Sequence, residues 1–194
     1  MTNLDTTRQE NKKKVAIFGS ARTDRDSGLY QAVHEMAQTL SKEGWIVVTG
    51  GGPGSMEAAN LGAHEVCEDG DLCSVGHVIY LPFEENVNPY VQYQTKHEQF
   101  FSRLETFSEC DAFIVTPGGV GTLLEMVLIY QLLAVDHLEK KPVICVGRMW
   151  RTLRDWIENE MIESEFLSNE ELKLIHYVDR FSEATNLLRG IVLE

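Results

Sequence analysis

Short runs of consecutive apolar residues alternate along this chain with longer stretches whose apolar positions recur every three or four residues. The first pattern predicts a strand covered on both faces, the second a helix packed on one. VAIFG (15–19) opens the series as a strand, and LYQAVHEMAQTLSKEG (29–44) follows as a helix that stops at Gly44. WIVVTGGG (45–52) runs from strand into glycines, SMEAANLGAHEVC (55–67) is a helix of small residues, and VGHVIYLP (75–82) is a strand closed by Pro82. VNPYVQYQ (87–94) shows neither period and is expected to be loop. The alternation then resumes: helix at 98–110, strand into glycines at 112–119, helix at 122–135, strand at 142–147, helix at 149–162, strand at 172–178 and helix at 181–192.

Strand alternating with helix is the pattern of an α/β fold, a mostly parallel sheet with helices on both faces. Residues 14–194 are expected to form one domain. The polar, aperiodic MTNLDTTRQENKK (1–13) ahead of them is expected to be a disordered tail.

Composition narrows the function. A net charge of −13 argues against nucleic acid and against anionic membrane as partners. The cysteines at 67, 73, 110 and 145 form no C-x-x-C pair and have no histidine at ligand spacing, so no metal site is expected. Read as free thiols in a chain without signal peptide or long apolar segment, they predict a cytoplasmic protein.

Three glycine-rich turns fall where strands end and helices begin: GSAR (19–22), GGGPGS (50–55) and PGGVGT (117–122). In parallel sheets ligands bind beyond the carboxyl ends of the strands. The first N–H groups of a helix lack internal partners, and glycine lets an anion approach them. Tight turns alone would also use glycine, but three such turns in one sheet point to a phosphate. Neither G-x-G-x-x-G nor G-x-x-x-x-G-K-[ST] is present, because Ser55 and Leu124 stand where the dinucleotide motif needs glycine. A smaller phosphorylated ligand fits better.

Thr122 and Glu125 form T-x-x-E, which reads first as a capping box. The helix behind them is apolar on nearly all sides, which also places Glu125 in a dry position beside a ligand turn, where acid–base chemistry is found. Glu57 in SMEAAN either complements its helix dipole or meets the ligand. Arg103 in QFFSRLETF is either a solvated helix residue or a charge partner for a carboxylate or phosphate. His97 reads as a surface residue before it reads as a proton carrier.

PGGVGTLLE, VTGGGPGSMEAANLGA, LPFEENVNPYV and FFSR together resemble the LOG (Lonely Guy) family, long labelled possible lysine decarboxylases. The resemblance runs from about Lys14 to Gly147. It implies a Rossmann-like three-layer sandwich, a homodimer and a phosphoribohydrolase that splits a nucleoside 5′-monophosphate into free base and ribose 5-phosphate, with no cofactor. Cytokinin and AMP-like nucleotides are the family's substrates. It further implies Glu125 and Arg103 as the catalytic pair. Ser20, Gly50, Gly51, Gly52, Gly54, Ser55, Met56, Glu57, Pro117, Gly118, Gly119, Gly121 and Thr122 would bind the substrate. The spacing from Arg103 to Pro117 is one residue shorter than the family's usual one, which in a helix turns a side chain by about 100°. Decarboxylation through pyridoxal needs a Schiff-base lysine, and none of the eight lysines lies in a glycine turn. A carrier or sensor that binds a nucleotide or cofactor without turnover, like the related molybdenum-cofactor carriers, is the rival expectation.

Overall fold

The computed structural model describes residues 12–79 and 87–192. Seven strands form one sheet: β1 (Lys14–Phe18), β2 (Ile46–Thr49), β3 (Ser74–Ile79), β4 (Tyr93–His97), β5 (Ala112–Val115), β6 (Val143–Val146) and β7 (Ile175–Val178). Their order is β4-β3-β2-β1-β5-β6-β7, and every pairing is parallel. The mostly parallel expectation therefore sharpens to all-parallel among the described residues.

Six α-helices connect the strands: α1 (Gly28–Lys42), α2 (Ser55–Glu65), α3 (Phe100–Ser108), α4 (Val120–Ala134), α5 (Arg148–Trp156) and α6 (Asn169–Leu172). α7 (Phe181–Val192) closes the chain, and α5 runs on into a π-helical stretch, Ile157–Ile162.

Strand residues point alternately to two cores. Val15, Ile17, Val47, Ile114 and Ile144 meet Leu40 of α1, Ala59 of α2 and Leu188 of α7. Ala16, Phe18, Val48, Phe113 and Cys145 meet Phe107 of α3, Met126 of α4 and Trp150 of α5. Both faces are thus covered, which is why the strands read as unbroken apolar runs. Truncating a side chain such as Leu40, fully buried here, costs about 2–5 kcal/mol. The small residues of α2 have a packing cause: a Cβ on Gly62 would meet the His34 carbonyl oxygen of α1 at 2.3 Å.

Two expectations are corrected. Tyr93 and Gln94, the end of the expected loop (87–94), instead open the edge strand β4, paired with β3 from Val75↔Tyr93 to Ile79↔His97. Its residues are mostly exposed, so it carries no apolar run to betray it. Cys67 and Cys73 are joined in a disulfide that closes the α2–β3 connection, leaving Cys110 and Cys145 as buried thiols. The bridge removes one support of the cytoplasmic expectation. Among the described residues no helix is long and apolar enough to cross a membrane. Residues 1–11 of the expected tail (1–13) and YLPFEEN (80–86) lie outside the described residues, whereas Lys12 pairs with Asp71 at 2.7 Å and the Lys13 carbonyl accepts from the Ile46 N–H at 2.9 Å, so those two belong to the fold.

Candidate functional site

The chain builds outward from β1 through β2 and β3 to β4, then returns to β1 and builds the other way through β5. This reversal leaves a crevice at the carboxyl ends of β1 and β5. The two strand ends are tied there: the Thr116 N–H and Oγ1 both donate to the Phe18 carbonyl, at 2.8 and 3.0 Å. A cleft of about 500 Å³ opens above them. It is lined by Gly19–Arg22, by Gly50–Gly52 with Met56, and by Gly119–Thr122 with Glu125. Arg103, Phe100, Lys96, Val78, Ile79 and Val87 complete the wall.

The PGGVGT turn enters α4 with Gly119 as an uncapped N-cap in extended conformation. The helix therefore starts at Val120, and Thr122 is already its third residue. The capping-box reading of T-x-x-E does not hold: no side chain caps this helix, and Glu125 sits in its second turn. Val120, Gly121 and Thr122 carry the first three helical N–H groups, which have no acceptor within the helix, and all three residues face the cleft. A free, positively polarised helix end at a switch point has the chemistry that suits an anion.

The second glycine turn behaves differently. The Ser55 N–H, first of α2, donates to the Ser20 carbonyl at 2.9 Å, and Ser55 Oγ lies 2.7 Å from Thr23 Oγ1. The N-terminus of α2 is thus occupied in part by the first turn rather than by open space. Gly54 makes that contact possible, with φ of +68° and a virtual Cβ 2.4 Å from the Ser20 oxygen. Gly54 and Ser55 hold the cleft together without lining it. Glu57 is also turned away from the cleft: its carboxylate pairs with Arg25 at 2.5 Å and accepts from the Tyr30 hydroxyl at 3.0 Å. Burial, then Glu57, pushes the Tyr30 phenol up to about 12. Pro117 packs toward Gly147, and Gly118 lies against Thr122, so neither lines the cleft.

Gly50–Gly52 are fixed by a buried polar network. Thr49 Oγ1 accepts from the Gly51 N–H at 2.9 Å and donates to Asn60 Oδ1 at 2.6 Å. Asn88 Nδ2 donates to the same Asn60 oxygen and to the Gly52 carbonyl, both at 3.0 Å, while its N–H donates to the Gly51 carbonyl at 2.8 Å. Asn60 Nδ2 donates in turn to Ser74 Oγ at 2.8 Å. Nothing in the sequence pattern singled out Asn60 or Asn88; isolated asparagines carry no periodic signal.

Arg103 is buried rather than solvated. Its Nε donates to the His77 carbonyl at 2.7 Å, and its guanidinium lies 5.3 Å from the Phe107 ring centre. Its Nη1 reaches to 3.6 Å from Glu125 Oε1. The one-residue-shorter spacing thus still brings the pair together. Gly50 makes room for it: a Cβ there would lie 2.0 Å from Arg103 Nη2. Burial lifts the Glu125 carboxyl from 4.5 to about 7, against the lowering pull of Arg103. His97 is buried too, edge-on to His77 with ring centres 5.9 Å apart. Burial first, then His97, Lys14 and Arg103, brings His77 down to about 4, and burial followed by Arg103 lowers His97. Both shifts favour the neutral imidazole. Of the residues missed in sequence, Arg22 belongs to a quoted turn, while Lys96 falls between the expected loop (87–94) and helix (98–110), on the edge strand β4.

Among the described residues no group of three metal-ligating side chains converges. The sequence profile of the family described as "Possible lysine decarboxylase" matches residues 56–188. A cytokinin riboside 5′-monophosphate phosphoribohydrolase from Mycobacterium tuberculosis is 25% identical over 175 residues, covering 88% of this chain and 90% of that one. The X-ray structure of a Northeast Structural Genomics Consortium target is 28% identical, with a TM-score of 0.64 over 92% of this chain and 99% of that one. The molybdenum cofactor carrier protein of Chlamydomonas reinhardtii superposes with a TM-score of 0.66 at 17% identity, over 94% of this chain and 99% of that one. The molybdenum cofactor binding protein of Rippkaea orientalis gives 0.65 at 21%, over 93% and 98%. Below a quarter identity these two share the fold alone. With the profile spanning more than half its length and its glycine turns at the switch point of the sheet, the chain belongs to the possible lysine decarboxylase family, also known as the LOG family.

Proposed function

We propose that this protein hydrolyses the N-glycosidic bond of nucleoside 5′-monophosphates, releasing free base and ribose 5-phosphate. The observation that carries the reading is one buried carboxylate, Glu125, about one helical turn from an uncapped helix N-terminus in a single cleft. The amides of Val120, Gly121 and Thr122 hold the 5′-phosphate, and Arg22, on the adjoining turn, adds charge. The Glu125 carboxylate faces the ribose. As the C1′–N bond breaks, its electron pair leaves with the base and positive charge grows on the sugar. Glu125 stabilises that charge and takes a proton from the attacking water, whose oxygen bonds to C1′; the base gains a proton from solvent. Arg103 orients Glu125 and keeps a useful fraction of it ionised near neutral pH. Phosphate binding away from the broken bond orients the sugar. Carboxylate action makes the rate rise with pH through about 7.

The protein is proposed to act as a homodimer, a reading supported by Phe101, Val120, Leu124 and Val127, which stand exposed on α3 and α4 beside the cleft. The test of function is base release from a panel of nucleoside 5′-monophosphates, with ribose 5-phosphate identified as co-product. Nucleotide binding with no release over hours across the panel overturns the hydrolase reading and makes the protein a carrier or sensor.

A further inference from the structure

The glycine turn Gly50–Gly52 is anchored from behind at the start of β3. Asn60 of α2, which holds Thr49 and Asn88, also donates to Ser74 Oγ at 2.8 Å and reaches the Val75 carbonyl at 3.4 Å. One residue before Ser74 stands Cys73, bridged to Cys67 just beyond the end of α2. The bridge therefore ties the helix that carries Asn60 to the strand that carries Ser74. Gln92, immediately before β4, clasps the same point. Its Oε1 accepts from the Cys73 and Ser74 N–H groups at 2.8 and 3.0 Å. Its Nε2 donates to the Asp71 carbonyl at 3.2 Å and lies 3.5 Å from Cys67 Sγ. The two cysteines are not equivalent: Cys73 is buried in the core, whereas Cys67 is only half-buried.

We propose that the Cys67–Cys73 bridge is a thiol-exchange site that sets the grip on Gly50–Gly52, firm when oxidised and loose when reduced. Its reaction partner is a small dithiol. One thiolate of that reagent attacks the more accessible Cys67 sulfur; a mixed disulfide forms there as the Cys67–Cys73 bond breaks, and Cys73 leaves as a thiolate and takes a proton. The second thiol of the reagent, losing its proton, attacks the reagent's own sulfur, closes a cyclic disulfide and releases Cys67, which is protonated in turn. The bridge gains two electrons and two protons, and the dithiol loses them. Glu65, Glu68 and Asp69 flank Cys67 as exposed carboxylates, so an uncharged dithiol is favoured over an anionic thiol. The reduced form finds an acceptor in place, because Cys67 Sγ lies 3.4 Å from the Asp71 carbonyl. Once the bridge opens, the hold of α2 on β3 rests more heavily on the Asn60 hydrogen bonds, the same group that fixes the glycine turn. Asn60 then leaves Ser74 more often, and the turn loosens with it. Nucleotide affinity falls as a result, and that consequence alone rests on the nucleotide hydrolase reading.

The test compares the folded full chain oxidised, reduced with dithiothreitol, and as Cys67→Ser, which cannot form the bridge; melting curves check that each is folded. Native thiol counting is expected to show dithiothreitol opening the bridge while Cys110 and Cys145 stay buried and unreactive. A bridge that resists dithiothreitol until the protein unfolds overturns the inference. The amide NMR signals of Gly51 and Gly52 are expected to shift or broaden by several linewidths between the oxidised form and the other two. Calorimetric Kd for AMP is expected to rise about fivefold in the reduced form and in Cys67→Ser, and dithiothreitol to change nothing further in that variant. Glycine signals that stay in place, or equal AMP affinity in forms that both bind it, overturn the inference. If AMP binds no form, the nucleotide reading fails, and the glycine signals alone decide on the bridge: movement supports its coupling to the turn, and none overturns it.

Discussion

Glutamine at position 125 keeps the shape of the side chain and abolishes its ionisation, so Glu125→Gln isolates what a buried carboxylate does to stability. The carboxyl titrates at about 7 in the folded chain against 4.5 for an unperturbed one, even with Arg103 beside it. Between those values the folded protein holds a proton that the unfolded chain has released. An acid with a raised folded pKa contributes stability that is whole below about pH 4.5 and is lost as the pH rises through about 7. Each unit is worth about 1.4 kcal/mol, so the full loss is about 3 kcal/mol. Glutamine has no such term, and every other titrating group cancels in the comparison. Urea unfolding of both proteins across pH 5 to 8 reads the difference. The balance is expected to move in favour of Glu125→Gln by about 2–3 kcal/mol over that interval and to level off above it. A difference that stays flat, or that favours wild type as pH rises, refutes the claim that Glu125 lies in a dry site.

Gly50→Ala is expected to abolish most activity with only about 1–2 kcal/mol of destabilisation, because its Cβ displaces the flexible Arg103 guanidinium rather than backbone; kinetics beside a melting curve separate the two effects. Asn60→Ala removes one hydrogen bond each from Asn88, Thr49 and Ser74 and is expected to cost about 2–3 kcal/mol, lowering Tm by several degrees. Thiol titration of the unfolded chain without reductant is expected to count two thiols, and four after reduction, with the Cys67–Cys73 bridge worth about 2 kcal/mol for so short a loop; four thiols from the start refute the bridge.

The parts of the fold legible in sequence were those with strong local cause. Strands buried on both faces must be apolar throughout, so β1, β2, β5 and β6 announce themselves. β4 does not, since an edge strand of exposed residues has its backbone bonds but no apolar run. Capping signals show how a motif depends on where the helix begins. T-x-x-E at Thr122 is no capping box because Gly119 is the N-cap and Thr122 is already the third residue of the helix. S-x-x-E at Ser168, which drew no notice, is a true one with both reciprocal bonds made. At the site, glycines and charges in motifs marked Glu125, Arg103 and the α4 turn, whereas the distinction between Glu57, locked to Arg25 and Tyr30, and Glu125, open to the cleft, exists only in three dimensions. Strand order, and with it the placement of Lys96 at the far end of the cleft, is likewise set by topology that no local pattern encodes.

The central claim is that Glu125 acts on a nucleotide sugar. The most direct measurement is free-base release from purine nucleoside 5′-monophosphates by wild type and Glu125→Gln side by side, with both shown to be folded and to bind nucleotide. The account expects release and ribose 5-phosphate from wild type and a loss of at least a hundredfold in the variant. Equal release by both proteins would contradict it.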